Sequence, residues 1–225
     1  MIKKKVIIYS TRDKYITLPL LEDIFTNTLK HEKIDLYLNK PKFFHKLKIL
    51  CVFFFFSPLN HFKILFKYKK KVDLSRFKNV KIINKEKLDY KYGFSINYTN
   101  KIKIQKFKIF NFHLGNFSNQ RGSFGYFYKF KYNWKYMDLT FHLIDKNWDK
   151  GRIINKKRIS VKKLSAIEIC TLYKRNYDFI TENIRNVLTK KIKYLPTNYG
   201  KLNITPSYHN IFKTYFIKRL LKLFV

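Results

Sequence analysis

Apolar positions along the chain come in two forms, short continuous runs and steps of three or four. Val6-Ile7-Ile8-Tyr9 is a run of the kind that forms a buried first strand. Leu18, Leu21, Ile24, Phe25 and Leu29 then recur at helical spacing across Thr17 to Leu29, with Pro19 tolerated in the first turn. Val80-Lys81-Ile82-Ile83 and residues 92–98, "YGFSINY", predict further strands. Lys106 to Phe110 predicts another, with Asn111 and His113 at its C-terminal end. Phe124 to Lys131 predicts a helix, residues 137–145 a strand, and Arg152-Ile153-Ile154 one more. The strongest helical pattern runs from Ser165 to Lys190. There Ile167, Cys170, Tyr173, Tyr177, Ile180, Ile184 and Val187 follow a capping-box pair, Ser165 and Glu168. The Phe-rich run from Ile49 to Leu59 is about half the length that spans a bilayer, and predicts a buried strand or short core helix. Strands alternating with helices predict an α/β fold, a Rossmann-like open, mostly parallel twisted sheet with helices on both faces. No repeat or linker marks a second full domain. The pattern predicts one domain over residues 1–190 and a short C-terminal tail over 191–225, helical at 210–225.

Composition permits a sizeable core, with 46% hydrophobic and 19% aromatic residues, and argues against global disorder. The net charge of +35 invites a nucleic-acid or anionic-membrane partner. The competing reading is coding bias toward Lys, Asn, Ile, Phe and Tyr, favoured because the charge runs along the whole chain rather than in one cluster. The C-terminal "NIFKTYFIKRLLKLFV" mixes apolar and basic residues at near-helical spacing, which suits peripheral contact with a membrane surface or docking on the domain equally. Cys51 and Cys170 lie in apolar surroundings and read as reduced thiols of a cytoplasmic protein; no metal-ligand spacing is present.

Candidate chemistry gathers in "FNFHLGNFSNQRG", residues 110–122. Asn111 and His113 stand two apart, so in extended chain their side chains share one side. Ligand sites of open α/β sheets gather at the carboxyl ends of strands, where this reading places both. Downstream, "IDKNWDKGRII" supplies Asp145 and Asp149 between two strands. An Asn to polarise a carbonyl, a His to handle a proton and an Asp to orient it form an acyl-transfer set. On spacing alone, a turn at Asn111 and a half-buried His113 explain the same residues. His142 is read as a strand-face residue.

The order of these motifs carries a resemblance. Asn111-x-His113, Arg121-Gly122, Leu139-Thr140-Phe141-His142 and Asp149-x-Gly151-x-Ile153-Ile154 together resemble the formyltransferases that use 10-formyltetrahydrofolate. The motifs cover residues 92–154, extending plausibly over 1–190. Leu114-Gly115 departs from the family's Pro-Ser, which implies a less constrained loop after His113. The resemblance implies the formyltransferase fold and attack of a substrate amine on the formyl carbon. It implies Asn111 and His113 at the developing oxyanion, and Asp149 holding the imidazole or accepting the amine proton. It also implies 10-formyltetrahydrofolate as co-substrate in a slot near Tyr92, Ser95, Tyr98, Ile144 and Asp145, with no metal. The acceptor would meet Arg12, Arg121 and Gly122.

Three acceptor classes compete. A glycinamide ribonucleotide enzyme is disfavoured because Ser10-Thr11-Arg12-Asp13-Lys14 lacks the glycines of a phosphate loop. A methionyl-tRNA enzyme needs a C-terminal domain that the residues after 190 do not contain. A nucleotide-linked amino-sugar is preferred. A catalytically idle family member and a basic nucleic-acid-binding protein stand as readings of other classes.

Overall fold

The computed structural model of the chain describes residues 5–12, 17–40, 43–57, 59, 63, 67, 72–85, 90–98, 100–102, 106–146 and 149–221. Asp13, Lys14 and the end of the tail at 222–225 lie outside them. The chain opens with β1 (Val6–Thr11), α1 (Thr17–Asn27), β2 (Ile34–Asn39), α2 (Phe43–Phe56), a single 3-10 turn (Leu74–Arg76) and β3 (Val80–Ile83). Next come β4 (Tyr92–Ile96), β5 (Lys108–Leu114), β6 (Arg121–Gly122), α3 (Gly125–Lys131), β7 (Tyr136–Leu143) and β8 (Ile153–Ser160). Helices α4 (Ala166–Cys170), α5 (Leu172–Arg175) and α6 (Tyr177–Leu188), strand β9 (Leu202–Asn203) and helix α7 (Tyr208–Leu221) complete it.

Seven strands form one sheet in the order β3-β2-β1-β4-β5-β7-β8. The run from β3 to β5 is parallel, and β7 and β8 then add antiparallel. The expected α/β architecture with a mostly parallel sheet is what the chain adopts. Period-two alternation assigns the faces. Val6, Ile8, Phe94, Phe110, Phe112, Leu139 and Phe141 point into one core with Leu21, Ile24 and Phe25 of α1 and Ile180, Ile184 and Val187 of α6. Full burial of each such side chain stabilises by roughly 1.5–3 kcal/mol. Ile7, Tyr9, Ile83 and Ile109 face the other way and pack with Tyr90 and Ile102. Among the described residues that second cluster contains no helical side chain.

Several elements differ from the sequence reading. Strand β2 is not among the strands read from the sequence, although Ile34, Leu36 and Leu38 alternate along it. Asp35 is fully buried, ion-paired to Lys5 and accepting from Tyr90 Oη at 2.8 Å. The long helix expected from Ser165 to Lys190 is three, although its capping box is present. At the breaks the Thr171 hydroxyl bonds Glu168 O (2.7 Å) and the Asn176 amide bonds Leu172 O (2.8 Å), competing with the helical ladder. The Phe-rich run belongs to a helix, α2, of which only Val52, Phe53 and Phe56 are buried. Among the described residues no helix is long and apolar enough to cross a membrane.

Candidate active site

Strand β5 runs to Leu114, so Asn111 and His113 lie inside it rather than beyond its end. Antiparallel β7 extends the pairing there, from Phe110↔Leu143 to Leu114↔Leu139. Phe112 and Phe110 stack on Phe141 with centroids at 4.5 and 5.6 Å, and such pairs contribute about 0.5–1.5 kcal/mol beyond their burial. That packing fixes the register, since a one-residue slip would turn every side chain to the wrong face. With Phe110, Phe112 and Phe141 committed to the core, Asn111, His113, Thr140 and His142 emerge on the opposite face. Ser95, Asn111 and His142 thereby form one row across β4, β5 and β7.

The Asn111 amide Nδ2 lies 3.0 Å from His142 Nε2, and His142 Nδ1 lies 3.0 Å from Leu143 O. A carbonyl only accepts, so Nδ1 carries the proton and Nε2 is the lone-pair nitrogen that receives Asn111. The bond fixes the orientation of the Asn111 amide, which lines a pocket over this face. Burial lowers the His142 pKa from 6.5 to about 4, with His113 adding to the effect and Asp149 and Leu143 O opposing it. The ring is neutral at pH 7.

Asp149 adopts the left-handed region at φ 47°, in the loop between β7 and β8. Its Oδ1 is 3.6 Å from His113 Nδ1 and 3.9 Å from His142 Nε2, and its Oδ2 accepts the Gly122 N–H at 2.8 Å. Burial raises the Asp149 pKa, but His113, His142, the Gly122 N–H and Arg121 outweigh it and leave it below the ordinary value. His142 is neutral, so its approach to Asp149 is not an ion pair. His113 Nε2 faces Gln120 O at 3.1 Å, so each ring nitrogen of His113 faces an acceptor.

The loop after His113 is tightly held, contrary to the expectation drawn from Leu114-Gly115. Gly115 N donates to Asp138 O (2.7 Å), Thr140 Oγ1 to Gly115 O (2.8 Å), and Gln120 Nε2 to Tyr136 O (2.8 Å). A Cβ at Gly115 would lie 2.2 Å from Gln120 O, so glycine is what admits that carbonyl beside His113.

Arg121 and Gly122 do not line the pocket. Arg121 is buried, its Nε donating to Asp149 O (3.0 Å) and its NH1 to Gly200 O, so it clamps the Asp149 loop to the tail. Gly122, at φ 97°, pairs with Asn203 of β9, where a Cβ would lie 2.0 Å from Asn203 O. The tail is therefore stitched to the loop that positions the carboxylate. Arg12 is exposed at the end of β1, its N–H bonded to Asn39 O (2.8 Å), and does not line the pocket either.

An open pocket of about 430 Å³ lies over this face, lined by Ser95, Tyr98, Asn100, Lys101, Ile102, Asn111, His142, Ile144, Asp145 and Asp149. Four of the five residues expected in the folate slot, Ser95, Tyr98, Ile144 and Asp145, are in it. Tyr92 is corrected: it opens β4, four residues and about 13 Å before Ile96, and its ring packs edge-on to Phe110. His113 does not line the pocket among the described residues, whereas His142 does. The signal for His142 lay in the alternation of Thr140 and His142, but only the register with Asn111 gives it meaning. Among the described residues no cluster of His, Cys, Asp or Glu has metal-holding geometry.

No protein-family model and no curated protein sequence matches the chain. Solved structures do. A 4-N formyltransferase from Francisella tularensis superposes with a TM-score of 0.62 at 17% identity, over 92% of this chain and 78% of that one. WlaRD, a sugar 3N-formyl transferase solved with dTDP and 5-N-formyl-THF, gives 0.63 at 18% identity, over 97% and 81%. The N-formyltransferase of Helicobacter canadensis, in complex with folinic acid and dTDP-3-aminofucose, gives 0.57 at 19%, over 98% and 82%. Likeness at these identities is likeness of architecture, and the architecture is the formyltransferase fold.

Proposed function

We propose that the chain transfers a formyl group from 10-formyltetrahydrofolate to the primary amine of a nucleotide-linked amino-sugar. The observation that carries this reading is the convergence of Asn111, His142 and Asp149 on one pocket, with His113 3.6 Å from the Asp149 carboxylate. Tyr98, Ile102 and Ile144 offer apolar walls to a flat heterocycle, and Ser95 and Asp145 offer polar groups to its edge. Donors held by the fold need no reorganisation as charge develops, and one such donor is worth roughly 3 kcal/mol. Asn111, oriented by neutral His142, supplies that donor. Asp149, kept ionised, accepts the proton the amine loses, with His113 Nδ1 3.6 Å from its Oδ1. With Nε2 on the Gln120 carbonyl, His113 acts through Asp149 in this arrangement. The acceptor follows WlaRD, a sugar 3N-formyl transferase, and the Helicobacter canadensis N-formyltransferase, which is in complex with dTDP-3-aminofucose.

The test is release of tetrahydrofolate by the purified chain, with nucleotide-linked amino-sugars, glycinamide ribonucleotide and charged initiator tRNA as separate acceptors. Turnover only with an amino-sugar is expected, and His113→Ala should lower it at least about a hundredfold. Turnover with another acceptor alone overturns the substrate, and none with any overturns the enzyme.

A further inference from the structure

The fourteen Asp and Glu residues are unevenly placed. None occurs between Asp35 and Asp73, a stretch with nine Lys, and none follows Glu182, where nine Lys and Arg occur. The fold brings these two stretches together. Helices α2 and α7 pack side by side, Phe55 against Phe212 with centroids at 5.1 Å and against Tyr215 at 4.6 Å, and Tyr208 Oη reaching Phe44 O at 3.5 Å. Tertiary contact thus sets Lys46 and Lys48 of one carboxylate-free helix beside Lys213, Lys218 and Arg219 of another.

The same side is apolar. On α2 the buried contacts are Val52, Phe53 and Phe56, while Phe43 (72% exposed), Leu50 (57%) and Phe54 (65%) form a stripe turned outward. On α7, Ile211 is buried and Phe216 (57%) and Leu220 (54%) face solvent. Phe55 and Phe212 join the two stripes. Monomeric proteins rarely leave a continuous patch of large apolar side chains open to water. Lys46, Lys213 and Arg219 lie exposed on the same two helices.

We propose that the α2–α7 face docks on an anionic lipid surface. Exposed aromatic and aliphatic side chains can enter the headgroup boundary while the neighbouring Lys and Arg meet anionic headgroups. A second copy of the chain fits this face poorly. Self-association would bring cations against cations with no carboxylate on either helix to neutralise them. The proposal is independent of formyl transfer, because no residue of the candidate active site belongs to this face.

Vesicles of phosphatidylglycerol mixed with phosphatidylcholine, and of phosphatidylcholine alone, are sedimented with the full chain. Co-sedimentation with the anionic vesicles only, released by salt, is expected. Phe54→Ser with Phe216→Ser should lower the bound fraction roughly tenfold while leaving the thermal midpoint near that of the parent, since both side chains are exposed. Failure to bind anionic vesicles, equal binding to the neutral ones, or undiminished binding by the double variant each overturns the proposal. So does a dimer in sedimentation equilibrium that the double variant converts to monomer, which would assign the face to a second copy.

Discussion

His142→Gln isolates the electrostatics of the candidate site. In the folded chain the imidazole titrates at about 4, against 6.5 ordinarily, because burial penalises the charged ring. Between those two values the unfolded chain holds a proton that the folded chain does not. Stability therefore rises with pH across this window and is lost as pH falls from about 6.5 toward 4. The difference corresponds to about 3 kcal/mol, a large share of the roughly 5–15 kcal/mol that a domain possesses. For a chain of this size it amounts to roughly 6–12 °C in thermal midpoint. Glutamine retains an acceptor for Asn111 but cannot titrate. Half-buried His45, whose pKa is also lowered, by burial and then Lys48, contributes to the same window in both proteins and cancels in the comparison. Asp149, shifted below 3.8, acts below the window. Chemical or thermal unfolding of both proteins at several pH values between 7 and 4.5 is the assay. The variant should lose much less stability on acidification. Parallel curves would refute the claim that His142 is held neutral by burial, and with it the tautomer that orients Asn111.

Asn111→Ala should lower kcat about a hundredfold to a thousandfold with little change in thermal midpoint, read by tetrahydrofolate release and calorimetry. Asp149→Asn removes the charged acceptor of the Gly122 N–H and should cost about 1.5–3 kcal/mol at pH 7 in urea titration. Because the Asp149 pKa is lowered on folding, its stabilisation is present above the ordinary carboxylate range and lost below it, so the variant should converge on the parent in acid. Gly122→Ala places a Cβ 2.0 Å from Asn203 O at a positive φ, and should destabilise by about 1–3 kcal/mol. That variant should also open amide exchange across 198–205, measurable by hydrogen-exchange mass spectrometry.

What the sequence alone determined is local. Period two puts Asn111 and His113 on one face of whatever strand contains them, and the three-to-four step with a Ser165/Glu168 cap starts a helix where one begins. Covalent geometry dictates both, without reference to the rest of the chain. The motif order from Asn111 to Asp149 likewise pointed to the formyltransferase fold. Tertiary structure decided what meets what. His142 becomes the partner of Asn111 only because β7 pairs antiparallel in one register, set by stacked Phe110, Phe112 and Phe141. Asp35 sits fully buried inside β2 because the fold supplies Lys5 and Tyr90 as partners for its carboxylate. Arg121 is buried against the carbonyls of Asp149 and Gly200, and helices α2 and α7, far apart in the chain and both without carboxylates, pack together. Such pairings depend on burial summed over distant residues, which no local spacing contains.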